Sequence, residues 1–263
     1  MTGSKQKRIQ KGLVIDVSSF VIGDDHATNQ LTPLRNHAHY EVKVELQGTR
    51  RRGQGSIGGM RDRYTGVRLV LFYLVCFYCR FWQRLPTQVF SLPDGPLILV
   101  GNHRAGVDPL IVQAAVDRPV HFLMAREFYR KLWYLRWAFD YVGAIPVNPG
   151  GANRHALNEA IEIVKRGRVL CLFPEGEANP AIPLRHVLPG AVVIAMQTGA
   201  PLLPFRITGT WPFDHVRLWP AFVRRGRVRI EFGESIHIPS GETGKHAIRH
   251  WTRIMQEALR SMC

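Results

Sequence analysis

The chain has 263 residues, 46% of them hydrophobic, enough for one domain of moderate size with its own core; global disorder is excluded. Thirty-five lysines and arginines against 20 acids give a net charge of +15 and a pI near 10.3. Such a balance favours anionic partners: nucleic acid, acidic lipid surfaces, phosphorylated substrates or an acidic carrier protein.

Residues 1–60 read as a basic extension. LVIDV and YEVKVELQG are short strand candidates, and GTRRRGQGSIGGM is Gly-rich, basic and expected to be flexible. No apolar stretch of useful length follows MTGSKQKRIQKG, so no secretory signal is read there. His37 and His39 have no partner cluster and read as solvated rather than metal-binding.

Residues 61–95 carry an apolar run, Leu69 to Cys79, between Arg68 and Arg80. Eleven residues are too few to cross a bilayer. They suit a helix lying in the headgroup zone, with arginines snorkelling and aromatics anchoring; the alternative is a core helix under the main sheet. Cys76 and Cys79 form a C-x-x-C without a second pair nearby, and read as packing residues in a reducing setting rather than a zinc or redox site.

From residue 96 to 263 the pattern alternates. Predicted strands are PLILVG, VHFLMA, GAIPV, RVLCLF, PLLPFRI and RVRIEFG. Between them lie predicted helices in DPLIVQAAVD, REFYRKLWYLRWAFDYVG, ANRHALNEAIEIVKRG and PGAVVIAMQTG, with a last one over 241–261. Alternation of this kind predicts an α/β fold, a mostly parallel sheet flanked by helices, with the N-terminal docking segment attached. Phe128, Trp133, Tyr134, Trp137, Phe139 and Tyr141 form an aromatic stripe read first as core, with an acyl groove or lipid contact as the alternative. Arg224, Arg225, Arg227 and Arg229 are a basic stretch fitting anionic lipid, coenzyme phosphates or an acidic carrier, or simply a solvated face. His246 and His250 lack a third ligand and read as surface histidines; no metal site is expected.

In a parallel sheet, function gathers beyond the carboxyl ends of the strands. Two predicted strands end in polar groups: VGNHRAGVD and CLFPEGEAN. Right-handed crossovers would bring both ends to one edge. His103 and Asp108 are five apart, about 500° along a helix, so they meet only if a turn lies between them. Asp108-Pro109 reads as a helix start, with Asp as cap and Pro at the first position. The carboxylate could then hold one ring nitrogen while the other takes a proton from a substrate hydroxyl. The alternative leaves Asp108 as a cap only and His103 as a turn filler.

The set NHRAGVDP, GAIPVNPGG, LFPEGEAN and APLLPFRITGT resembles the four ordered motifs of the glycerophospholipid acyltransferases, of which lysophosphatidic acid acyltransferases are typical members, over about residues 65–240. The resemblance implies His103 as general base and Asp108 as its orienting acid. It implies acyl-CoA or acyl carrier protein as donor, with no further cofactor. Glu175 and Gly176 would hold the glycerol portion of the acceptor, and Pro204 would shape the acyl-donor side. Asn102, Arg104, Arg185 and Arg206 complete the candidate substrate-binding set. Backbone N–H groups near the strand ends would serve the oxyanion.

Two departures bear on the acceptor. Where the family usually has Thr-Arg-Ser after FPEG, this chain has Glu177, Ala178 and Asn179; where the second motif usually nears an arginine, it has Asn148, Pro149 and Gly150. A phosphomonoester needs forked, charge-assisted donors, and Glu177 would repel it. Some relatives acting on lysophospholipids, including tafazzin-like transacylases, also lack Thr-Arg there and carry an asparagine at the Asn179 place. The expected acceptor is therefore a lysophospholipid or related lipid alcohol or amine, with lysophosphatidic acid as the alternative. The expected place is the cytoplasmic face of a membrane, peripheral or monotopic, on anionic lipid, with no nucleic-acid partner. A basic lipid-binding protein without turnover is the rival from another class.

Overall fold

The computed structural model describes residues 66–136, 139, 143–148, 154–176, 184, 187–210 and 223–262. The strand candidates of the extension, His37, His39 and Arg185 lie outside the described residues.

Six strands form one sheet in the order β3-β2-β4-β1-β5-β6. They are β1 (Leu97–Gly101), β2 (Val120–Ala125), β3 (Ile145–Val147), β4 (Val169–Leu172), β5 (Leu202–Thr208) and β6 (Arg229–Phe232). All neighbours pair in parallel except β6, which runs antiparallel to β5. LILVG and VLCL are buried at every position, as continuous apolar runs must be where helices cover both faces.

One face is covered by α1 (Val67–Phe77), a π-helical turn (Tyr78–Trp82) and α2 (Asp108–Ala115). Phe72, Cys76 and Cys79 from the first segment share this core with Leu97, Leu99, Ile111, Cys171 and Phe205. The other face is covered by α4 (Arg154–Lys165), α5 (Gly190–Thr198) and α6 (Gly244–Ser261), whose Trp251, Met255 and Leu259 repeat every fourth residue toward Ile98, Leu170 and Leu202.

Leu69–Cys79 proves two-sided. Phe72, Cys76 and Cys79 are buried, whereas Val70, Leu74, Phe77 and Phe81 follow the same helical spacing on the outside. Leu74 is 60% exposed and Phe77 66%. Among the described residues no helix is long and apolar enough to cross a membrane.

The predicted helix after VHFLMA does not run through. It divides into α3 (Arg126–Lys131) and a 3₁₀ turn (Trp133–Leu135), because Leu132 leaves helical geometry at φ −98°, ψ 41°. That break turns Trp133 and Tyr134 outward, at 74% and 52% exposure, so these two do not pack in the core as expected. Trp137 and Tyr141 lie outside the described residues.

Candidate functional site

β1 and β4 pair with Leu99 opposite Cys171 and Val100 opposite Leu172, so their carboxyl ends emerge side by side. His103 follows one end, and Phe173 and Glu175 follow the other.

The ring of His103 meets Asp108: Nδ1 lies 2.9 Å from Oδ2. Asp108 is fully buried and is the first residue of α2, not its cap, which is Val107. The expected cap geometry fails because the carboxylate folds back into the preceding turn. There Oδ2 also accepts from the backbone N–H of Arg104 at 2.7 Å and of Ala105 at 2.8 Å. Its other oxygen, Oδ1, is buried without a hydrogen-bond partner among the described residues. On the adjacent strand, burial pushes the Cys171 thiol far above the ordinary range, and the negative charge of Asp108 adds to that.

The imidazole is fixed in two further ways. It stacks on Phe173, with ring centroids 4.3 Å apart and planes within 20°. Phe173 in turn meets Phe205 edge-on, and Phe205 lies over Gly101, where a Cβ would come within 2.3 Å of its ring. Only glycine at 101 leaves room for that aromatic row. The second fixing is through the backbone: the His103 N–H donates to Glu175 Oε1 at 3.1 Å. Glu175 Oε2 accepts from the N–H of Leu184 at 3.0 Å. Glu175 is thus a strut between the two strand-end turns. Gly176 makes its turn possible with φ +72°, and its N–H donates to the Phe173 carbonyl.

Asn102 is buried and its amide pairs with β5: Nδ2 donates to the Ile207 carbonyl at 3.0 Å, and Oδ1 accepts from the Ile207 N–H at 2.8 Å. It clasps the rim to the strand that ends beside it. Arg206 alternates with Phe205 and Ile207, so it points to the opposite face of the sheet, where Nη1 donates to the Met262 carbonyl. Pro204 shares that face, next to Gly233. Arg104 contributes its N–H to Asp108, and its half-buried side chain belongs to the same turn as the ring. The N–H groups of residues 103, 104 and 105 are all taken by carboxylates, so the expected oxyanion donors are not these three.

Phe173 was not among the sequence candidates. Its signal was present: in VLCLF it falls on the same alternate positions as Val169 and Cys171, which face the His103 side.

What this arrangement can do is limited and definite. One ring nitrogen is held by a buried carboxylate, the ring face is held by Phe173, and the imidazole is still 22% exposed. An imidazole so held can take up a proton from a hydroxyl at its other nitrogen. Cys76 and Cys79 pack in the core, and among the described residues no cluster of histidines, cysteines or acids could hold a metal.

Comparison with known proteins places the chain by family and by fold. Residues 82–208 match the family model described as Acyltransferase, which bears out the resemblance carried by the motifs. A 1-acyl-sn-glycerol-3-phosphate acyltransferase of Borreliella burgdorferi is 29% identical over 116 residues, 43% of this chain and 46% of that protein. The lyso-ornithine lipid O-acyltransferase of Pseudomonas aeruginosa is 29% identical over 119 residues, 44% of each chain. The chain thus spans less than half the length of these curated relatives. The crystal structure of the 1-acyl-sn-glycerophosphate acyltransferase PlsC from Thermotoga maritima superposes with a TM-score of 0.50 at 23% identity, over 73% of this chain and 80% of that one; it shares the fold.

Proposed function

We propose that this chain, whose residues 82–208 carry the acyltransferase family's domain, transfers an acyl group from a thioester of coenzyme A or acyl carrier protein to a lipid hydroxyl. The acceptor hydroxyl passes its proton to Nε2 of His103 as its oxygen attacks the thioester carbonyl. The tetrahedral adduct collapses, the C–S bond breaks, and the imidazolium returns the proton to the departing thiolate. Asp108 holds the ring and stabilises its charged form during the step. The observation that carries this reading is the 2.9 Å contact between Nδ1 and a carboxylate that also closes the turn under the ring.

The acceptor is a lysophospholipid or related lipid without a bare phosphate. Supporting this, Glu177, Ala178 and Asn179 supply none of the forked cations a phosphomonoester needs after FPEG, and one relative is named for an ornithine lipid rather than a glycerol phosphate. The protein seats on the membrane surface through the exposed side of α1 and the π-helical turn after it, where Val70, Leu74, Phe77 and Phe81 form a solvent-facing apolar row beside arginines. That seat is peripheral or monotopic, at the cytoplasmic face.

A matrix of acyl donors against lysophosphatidic acid, lysophosphatidylcholine and other lysolipids tests the acceptor. Preference for lysophosphatidic acid would refute the proposed headgroup. His103→Ala tests the chemistry: turnover drops by about two or more orders of magnitude while vesicle binding stays. Unchanged turnover would leave only the non-enzymatic, lipid-binding reading.

A further inference from the structure

We infer that the loop Val223–Arg227 is the part of the docking surface that reads lipid charge, so that the protein seats on bilayers of anionic phospholipid in preference to neutral ones. The inference rests on the docking role proposed for α1 and adds to it a selector from a distant part of the chain.

The loop is fastened to the end of the helical segment that begins with α1. Trp82 Nε1 donates to the Val223 carbonyl at 2.9 Å, across 141 residues of sequence. Gln83 is 1% exposed and works as a clasp: Nε2 donates to the Tyr78 hydroxyl at 2.7 Å and to the Arg224 carbonyl at 3.3 Å, while its own carbonyl accepts from the Val228 N–H at 3.0 Å. Gly226 packs so tightly beneath that a Cβ there would lie 2.7 Å from Gln83 Oε1 and 3.0 Å from the Gly209 carbonyl. The arginines on either side are therefore presented from a fixed backbone.

Arg225 lies over two rings at once, its guanidinium carbon 5.5 Å from the Phe81 centroid and 5.0 Å from that of Trp82. Phe81 is itself exposed and stacked on exposed Phe77, at 5.5 Å and 9°. An apolar row and a cation stacked on its last ring form one surface. That matches a bilayer boundary, with aromatics at the headgroup level and guanidinium groups at the phosphates. Arg224, Arg225 and Arg227 are exposed, as is Val223 beside them. No acid occurs in residues 66–93 or 223–230, so nothing within either segment offsets the charge. Arg229 is not included: Ile230 and Phe232 alternate with it and pack on the core, which sends Arg229 to the other face of the sheet.

The surface is also joined to the site. The Arg227 N–H donates to the Gly209 carbonyl at 3.3 Å, at the end of the strand whose Ile207 holds Asn102 next to His103. A nucleic acid would use the arginines but leave the aliphatic row of α1 uncovered. The occupant that covers both is an anionic bilayer.

The test is co-sedimentation of the full chain with vesicles of phosphatidylcholine alone or with roughly a third phosphatidylglycerol, at low and high salt. Each arginine at an anionic surface contributes about five-fold in binding, so Arg225→Gln with Arg227→Gln should lose about 25-fold on the anionic vesicles and little on the neutral ones. Arg227→Gln alone, which removes no ring contact, should lose about five-fold, and Arg225→Lys with Arg227→Lys should keep most of the anionic preference. A double glutamine variant with the wild-type preference for anionic vesicles would overturn the inference, as would retention by nucleic acid in place of vesicles. Phe77→Ser with Phe81→Ser should weaken binding to both vesicle types; if it does not, the docking role of α1 falls by its own result.

Discussion

Asp108→Asn isolates the charge of the orienting acid from its shape. In the wild type Oδ2 accepts from three donors, the ring nitrogen at 2.9 Å and two backbone N–H groups at 2.7 and 2.8 Å. An asparagine can keep its oxygen there, which places its NH₂ where Oδ1 now lies, a buried position with no partner among the described residues. The unpaired donor costs about 1–3 kcal/mol of stability, short of unfolding a domain of this size. The catalytic cost is the lost attraction between carboxylate and developing imidazolium. At about 4 Å between charge centres and an effective dielectric near 20, that attraction is about 4 kcal/mol. Because the ring is 22% exposed and only partly charged in the transition state, we expect about 2–3 kcal/mol to reach the barrier. That is a fall in kcat of about a hundred-fold with KM for the thioester little changed. Release of free thiol from an acyl thioester, followed with purified full-length protein and a lysophospholipid, measures it. An Asn variant that turns over at the wild-type rate would refute the reasoning, since the carboxylate would then be a structural tie alone.

Gly101→Ala places a Cβ 2.3 Å from the Phe205 ring, forcing that ring and Phe173 to move; we expect about 1–3 kcal/mol lower stability by chemical denaturation and about ten-fold lower kcat. Arg118 ties the entry to β1 by donating to the carbonyls of Pro93, Gly95 and Gly167, so Arg118→Ala should cost about 3 kcal/mol in urea titration. Its contacts lie at the amino end of the sheet, and kcat of the folded protein should therefore hold. Burial raises the thiol of Cys76 to about 11 and that of Cys79 to about 12, from an ordinary 9.0. The unfolded chain then releases these protons first, so stability falls as pH climbs above about 9 toward those values. Melting curves of the wild type and a Cys76→Ala, Cys79→Ala variant should diverge in that window, with the variant losing less.

The alternation of strands and helices was legible because VLCL and LILVG are apolar throughout and the intervening helices are amphipathic or wholly apolar. The meeting of His103 and Asp108 was legible only as one of two readings, since their spacing fits a turn that joins them as well as a cap and a turn filler that do not touch. What was not legible came from long sequence separation. The commitment of Asn102 to Ile207 spans 105 residues, and that of Trp82 to Val223 spans 141. No local pattern encodes which distant backbone group a side chain will meet. The turning of Arg206 away from the rim was a matter of strand parity, readable in principle once Phe205 is placed inward. The division of the helix after β2 at Leu132 had no breaker residue to announce it; REFYRKLWYLRW contains neither proline nor glycine.

The backbone donors at the rim are already engaged. Glu175 takes the N–H of His103, Asp108 takes those of Arg104 and Ala105, and Phe173 fixes the ring from its face. The base is thus held at its backbone, at one ring nitrogen and on one flat side. A site so restrained gains orientation for the proton transfer and gives up adaptability. Discrimination among acceptors then cannot come from movement of His103. On the acceptor reading proposed above, it comes from the stretch of sequence after Gly176, where Glu177, Ala178 and Asn179 stand in place of the Thr-Arg-Ser usual in the family the motifs resemble. Restoring threonine and arginine at 177 and 178 should therefore shift acceptor preference toward lysophosphatidic acid without touching the proton-transfer step.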